Sequence, residues 1–189
     1  RVAPGRDDAR RVVRVDRDTF VNIGVVAEEA RIAAGVNPEV AGDQYLEVGD
    51  KIGNIMLVLD WCYDTVTPGQ RARWTAFANQ AVWNVWHHES AQWGGRPAPW
   101  PGWSVDNPFN NYYYSFLEAT MLTGLATEGE NPQADDWIAQ FRTTKIANEL
   151  VPAFNQHLAG GGSQEGTGYG IALKRLWWIY ELWQETTGE

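Results

Sequence analysis

Two short stretches hold the side chains best suited to chemistry. The first is "NNYYY" at residues 110–114, where two amides precede three phenols. The second is "GGGSQEGTGYG" at residues 160–170, which sets the carboxylate of Glu165 four residues before the phenol of Tyr169. Amides and phenols donate hydrogen bonds, and a carboxylate accepts them. These groups therefore favour binding of a polar ligand, with proton transfer by a phenol or a carboxylate.

The first stretch also has a structural interpretation. Asn110 and Asn111 suit a helix N-terminus, where asparagine caps well, but capping explains only one of them. Tyr114 belongs to an apolar helical stripe, so we expect Tyr112 and Tyr113 to point elsewhere. A second asparagine beside exposed phenols predicts a polar surface that faces a ligand.

The glycine-rich stretch is open to the same two interpretations. Ser163 can cap the last helix, with Glu165 in its first turn, where the helix dipole favours negative charge. Capping does not explain Tyr169. Its neighbours Gly168 and Gly170 leave space around the ring at some cost in helix propensity. We therefore expect the Tyr169 phenol to approach a substrate.

Residues 89–110 form a long segment rich in proline and tryptophan, and the whole chain has 11 Trp. A loop of this length is usually functional or disordered, and tryptophan is costly to leave in water. The rings either cover a core edge or form a platform for sugars. Trp100 and Trp103 are the expected stacking residues.

His157 lies just before the glycine-rich stretch. It either approaches Tyr169 and lowers the pKa of that phenol, or it is an exposed turn residue. No cluster of His, Cys, Asp and Glu has the spacing of metal ligands, and no phosphate-binding glycine motif follows a strand. The sequence therefore predicts neither a metal nor a cofactor.

The elements that must position these groups are helices, because apolar residues recur with helical spacing and alternation of period two is absent. Thr67 is the expected N-cap, and Pro68 the first residue, of a helix that carries Trp74 to Val85. In the last helix, Leu173, Leu176, Trp177 and Tyr180 are expected to line one side. The other helices are expected at about residues 18–34, 45–64, 133–150 and 167–186, with one more from Tyr114 to Leu125 that ends at "EGENP". Such a pattern predicts an all-α fold of antiparallel helical hairpins.

Composition limits the function classes. A chain of 189 residues with 44% hydrophobic residues suits one folded domain. The net charge of −9 argues against nucleic acid as a partner. No apolar run approaches the roughly 20 residues that cross a bilayer. The charged N-terminal stretch is not a signal peptide, and a first residue of Arg suggests that a leader has been removed.

Three stretches occur in order: "LDWCYDTVTPGQRARW" (59–74), "NNYYYSFLEATMLTGLAT" (110–127) and "GGGSQEGTGYG" (160–170). Over about residues 45–185 the chain thereby resembles the heparinase II/III-like polysaccharide lyases and related alginate-lyase-like domains. The resemblance implies an incomplete (α/α) toroid, with residues 1–189 a single helical piece of a larger secreted or periplasmic enzyme. The partners implied are an anionic polysaccharide or oligosaccharide and the rest of that enzyme, namely further toroid helices and a β-sandwich domain.

The resemblance also implies site residues. Enzymes of this kind cleave a uronic-acid polysaccharide by β-elimination. Asn111 stands at the asparagine that neutralises the sugar carboxylate, and Tyr169 matches the tyrosine that protonates the leaving oxygen and can accept the C5 proton. Tyr112 stands where many members have histidine, and we expect it to shape the catalytic site. The residues expected to bind substrate are Asn110, Tyr113, Glu165, Trp100, Trp103 and His157.

Two other functions stay open. A glycoside hydrolase on a related helical barrel would use acidic residues such as Asp60, Asp106 or Glu165. A non-catalytic carbohydrate-binding domain would bind oligosaccharide without releasing product. An acidic sugar would need a locally basic cleft in either case, and the candidate cations are Arg96, Arg142, Lys145, Lys174 and Arg175.

Overall fold

A computed structural model of the chain describes residues 25–35, 45–160 and 170–189. Most of these residues are helical, which confirms the all-α prediction; the toroid stays a prediction. The helices are α1 (Val25–Ala33), α2 (Val48–Trp61), α3 (Pro68–Trp86), α4 (Asn111–Thr127), α5 (Ala134–Ala139), a π-helical segment (Gln140–Leu150), α6 (Val151–His157) and α7 (Gly170–Thr187).

Helix α4 is the centre of the fold. Every residue from Tyr113 to Thr127 is buried, as expected of a helix that is covered on all sides. Helices α2, α3, α5 and α7 pack against it, and α2 makes the most extensive contact. The first residues of α4, Asn111 and Tyr112, are therefore the part of the helix that is not buried.

Close packing of α2 against α4 depends on two glycines in α2. A Cβ atom on Gly49 would lie 2.7 Å from Glu118 Oε2, and one on Gly53 would lie 3.0 Å from Leu122 Cδ1. The backbone N–H of Gly49 also donates a hydrogen bond of 2.8 Å to Ser115 Oγ. Here α2 and α4 approach too closely for any larger side chain.

Helix α3 starts as the sequence predicts. Thr67 is its N-cap and accepts from the backbone N–H of Gln70, whose side chain accepts in return from the backbone N–H of Thr67. This reciprocal pair is a capping box, with Pro68 in the first turn.

Between residues 134 and 157 the helical backbone is continuous but not uniform. Helix α5 runs into the π-helical segment and then into α6, and the residues at both junctions keep helical dihedrals. The predicted helix over 133–150 therefore extends to His157. A widened helical turn leaves its sequence periodicity irregular, which explains why the end was not predicted.

The tryptophan-rich segment is ordered. Gln92–Trp93 and Arg96–Pro97 pair as two short antiparallel strands, and both turn glycines between them have positive φ, as a type I′ hairpin turn requires. Buried Asn84 fixes the hairpin, because its side chain exchanges two hydrogen bonds with the backbone of Gln92 at 2.9 and 3.0 Å.

The predicted face of the last helix is right at Leu176 and wrong at Trp177 and Tyr180. Ala172, Leu176, Ile179 and Trp183 form the buried stripe of α7, whereas Trp177 is 73% exposed and Tyr180 is also exposed. The predicted and the observed stripes share Leu176 and are otherwise rotated by about one residue around the helix. In the described part of the chain, no helix is both long and apolar enough to span a membrane.

Candidate functional site

A groove of about 800 Å³ opens between α2, α4 and α7. Helix α2 and the turn before it contribute Glu47, Asp50 and Asn54, and α4 contributes Asn111 and Glu118. The remaining polar and aromatic lining comes from α7, with Lys174, Arg175 and Trp178. The groove therefore combines amides, ions of both signs and one indole ring, the mixture that binds a polar ligand.

Asn111 and Glu118 lie on the same face of α4. They are seven residues apart, which is close to two full turns and about 10 Å along the axis. Asn111 is the first residue of α4, so it lies at the positive end of the helix dipole. The groove thus presents an amide at one end and a carboxyl group deeper along the helix.

Glu118 is buried at the contact of α4 with α2. Its side chain is 9% exposed, and among the described residues Oε2 has no hydrogen-bond partner. Burial raises the pKa of Glu118 to about 7, although Arg175 lowers it and Asp50 raises it further. Near neutral pH this carboxyl group therefore exchanges a proton, as a general acid or base must.

Arg175 connects the three helices of the groove. Its guanidinium donates to Asp50 on α2, and its Nε lies 3.1 Å from Glu118 Oε2 on α4. The second contact is an ion pair by distance, but the N–H is not directed at the oxygen, which is why Oε2 makes no hydrogen bond.

Only part of the expected set of cations reaches the groove. Lys174 and Arg175 line it. Lys145 is buried under the ring of Trp86, Arg142 pairs with the carboxylate of Glu189, and the exposed Arg96 lies in the hairpin. Of the expected cations, the two that line the groove both come from the first turns of α7.

Tyr113 is buried, so the prediction that its phenol lies on an exposed polar surface is wrong. Its expected role in substrate binding stays a prediction. The side chain is fully buried, and its hydroxyl donates to Glu149 at 2.7 Å. Burial and this hydrogen bond raise the pKa of the Tyr113 phenol, so it stays protonated. Lys145 binds the same Glu149 carboxylate at 2.9 Å, which makes this an internal network.

Trp100 and Trp103 lie apart from the groove. The Trp100 ring packs against Tyr45, His88 and Phe116, and its Nε1 donates to the backbone oxygen of Asn84. It therefore covers a core edge, the alternative that the sequence left open. Trp103 is 55% exposed.

Three other expected residues lie around the start of α4. Asn110 is the N-cap and accepts from the backbone N–H of Tyr112. The ring of Tyr112 is half-buried against the core. His157 is exposed at the end of α6 and contacts the edge of Phe109. These residues surround the N-terminus of α4 without lining the groove.

Tyr169 and Glu165 lie outside the described residues. Their expected roles as catalytic phenol and substrate-binding carboxylate stay predictions. The chain continues from Tyr169 directly into Gly170, the first residue of α7.

Sequence reasoning missed Glu118, Asp50 and Trp178 as groove residues. Glu118 stands between Leu117 and Ala119 in an otherwise apolar helix, and a lone acid in such a run is a usable signal of a functional carboxyl group. Asp50 and Trp178 carry no comparable signal, because exposed acids and helical tryptophans are ordinary.

Comparisons with known protein families, with characterised proteins and with solved structures find no match for this chain. Within the described ranges, no group of three or more His, Cys, Asp and Glu side chains is arranged to hold a metal ion.

Proposed function

We propose that this chain is the helical part of a polysaccharide lyase that cleaves a uronic-acid polysaccharide by β-elimination, and that its helices belong to an incomplete (α/α) toroid. One observation supports the proposal most. Asn111 shares a groove with the first turns of α7, and α7 is the helix that directly follows Tyr169 in the chain. The amide named by the resemblance thus lies in the same groove as the helix that begins one residue after the phenol.

The reaction removes the C5 proton of a uronate, breaks the bond between C4 and the glycosidic oxygen, and forms a C4–C5 double bond. Negative charge moves onto the C5 carboxylate during proton removal. The Asn111 amide at the positive end of α4 stabilises that charge, as a preorganised donor in a partly enclosed site does. Tyr169 accepts the C5 proton and donates a proton to the departing oxygen.

The direct test measures the ultraviolet absorbance of the 4,5-unsaturated uronate released from a panel of polyuronates by the full-length protein. In Asn111→Asp the isosteric carboxylate cannot donate a hydrogen bond, so we expect kcat to fall about 100- to 1,000-fold. Tyr169→Phe should lose comparable activity. Asn148→Asp is the matched control, since Asn148 is exposed outside the groove.

Undiminished absorbance with Asn111→Asp would contradict the role of the amide. If the chain bound uronate oligosaccharides and released no product of any kind, the groove would instead be a carbohydrate-binding site.

A second candidate, a glycoside hydrolase, is favoured by Glu118. A buried carboxyl group whose pKa is about 7 resembles the general acid of a glycosidase, and Asp50 lines the same groove. Hydrolysis would release reducing ends without unsaturated absorbance, and Glu118→Gln would abolish it.

A further inference from the structure

Arg175 contacts two carboxylates that differ in solvent exposure. Glu118 is 9% exposed and Asp50 is 60% exposed, while the arginine side chain between them is 21% exposed. One carboxylate is therefore part of the protein interior, and the other lies at the surface of the groove.

Glu118 cannot leave the guanidinium. It lies against Gly49 at the α2–α4 contact, where even a Cβ atom would come within 2.7 Å of Oε2. Among the described residues Oε2 has no hydrogen bond, so Arg175 is the nearest group that compensates its charge. When Glu118 is ionised, the buried carboxylate without that cation would be strongly destabilising, and this holds Arg175 beside the groove.

Asp50 can leave. The Asp50 carboxylate is 60% exposed, so water can replace the arginine as its partner, and ion pairs of surface carboxylates contribute about 0–1 kcal/mol. Rotation of the Asp50 side chain towards solvent would free a guanidinium edge without opening the core. Arginine binds carboxylates through two parallel N–H donors and is well suited to accept a replacement.

We infer that Arg175 is a carboxylate-binding residue of the groove and that Asp50 occupies the position on its guanidinium which the carboxylate of an acidic sugar takes. The choice of an acidic sugar rests on the proposed function. Lys174 adds a second positive charge to the same wall, and the Trp178 ring offers an apolar face beside it.

This subsite is distinct from the one at Asn111. Arg175 contacts α4 at Glu118, about 10 Å along the helix from Asn111. That spacing along α4 favours two separate positions for ligand carboxylates. On this inference the carboxylate on Arg175 belongs to a different sugar residue from the one that Asn111 neutralises, so the groove takes at least two acidic sugars.

Calorimetric titration with tri-galacturonate and with the neutral galactose trisaccharide tests the inference. Asp50→Asn keeps the shape of the side chain and removes the competing charge. We expect it to bind tri-galacturonate about fivefold more tightly, the factor that corresponds to about 1 kcal/mol. Binding of the neutral trisaccharide should not change.

Glu47→Gln is the matched control, because it removes one negative charge from the same groove wall at a residue that pairs with Lys51. An equal gain with Glu47→Gln would overturn the inference, since a general charge effect would then suffice. Unchanged affinity of Asp50→Asn, or no binding of tri-galacturonate to either protein, would overturn it as well.

The two proposals fail separately. If unsaturated product forms but Asp50→Asn does not change the affinity, the lyase proposal is supported and the subsite at Arg175 is refuted. If Asp50→Asn binds the acidic sugar more tightly but no unsaturated product forms, the subsite at Arg175 is supported and the lyase proposal is refuted.

Discussion

Replacement of Glu118 by glutamine should change how the stability of the fold depends on pH. The pKa of Glu118 rises from 4.5 to about 7 in the folded protein, chiefly through burial, with Arg175 opposing and Asp50 adding to the shift. Each pKa unit corresponds to about 1.4 kcal/mol, so ionisation of this group costs the fold about 3 kcal/mol.

The sign follows from the direction of the shift. A raised pKa means that the folded state binds the proton more tightly than the unfolded chain does. The stabilisation by protonated Glu118 is complete below about pH 4.5 and is lost as pH rises through about 7. Between about pH 5.5 and about pH 8.5 the wild-type chain should lose about 2 kcal/mol from this group. Glu118→Gln cannot ionise and should lose none of it.

Urea unfolding at a series of pH values measures this difference. The free energy of unfolding of Glu118→Gln minus that of wild type should rise by about 2 kcal/mol across that interval. The control is Glu47→Gln, whose side chain is 59% exposed and should give a constant difference. A constant difference for Glu118→Gln too would show that water reaches the carboxyl group and would refute its burial.

Two further substitutions test the packing of α2 against α4 and the internal network around Glu149. Gly49→Ala places a methyl group within 2.7 Å of α4 atoms and should lower the free energy of unfolding by about 1–3 kcal/mol, whereas Gly69→Ala in α3, with its nearest neighbour at 3.5 Å, should change it by less than about 1 kcal/mol. Lys145→Met leaves the Glu149 carboxylate without its cation and should cost about 2–3 kcal/mol. The exposed pair at Lys51 gives the comparison, because Lys51→Met should cost less than about 1 kcal/mol. Urea unfolding measures all four, and equal losses within either pair would contradict the packing described.

Much of the fold was predictable because helix signals are local. The capping box at Thr67 and the apolar stripe of α2 are set by residues within one or two turns of each other. The face of α7 was not predictable in this way. Trp177 and Leu176 are both apolar, and only the position of α4 decides which of them is buried.

The site was predicted in part for the same reason. Asn111 was found because a helix start is a local signal and capping left one asparagine unexplained. Tyr113 was misplaced because its partner, Glu149, is 36 residues away and no local pattern announces the pair. The contact between Glu118 and Arg175 spans 57 residues and requires α2, α4 and α7 to meet, which periodicity cannot predict.

The net charge of −9 opposes binding of an acidic ligand, but exchange at Arg175 avoids most of that opposition. When a ligand carboxylate replaces Asp50, the number of carboxylates on the guanidinium does not change. Asp50 moves into water, where it is already 60% exposed, so little new desolvation is required. The remaining charge of the chain acts at longer range, where salt screens it, and slows association more than it weakens the complex. An acidic protein with an exchangeable carboxylate on a fixed arginine can therefore hold an acidic sugar.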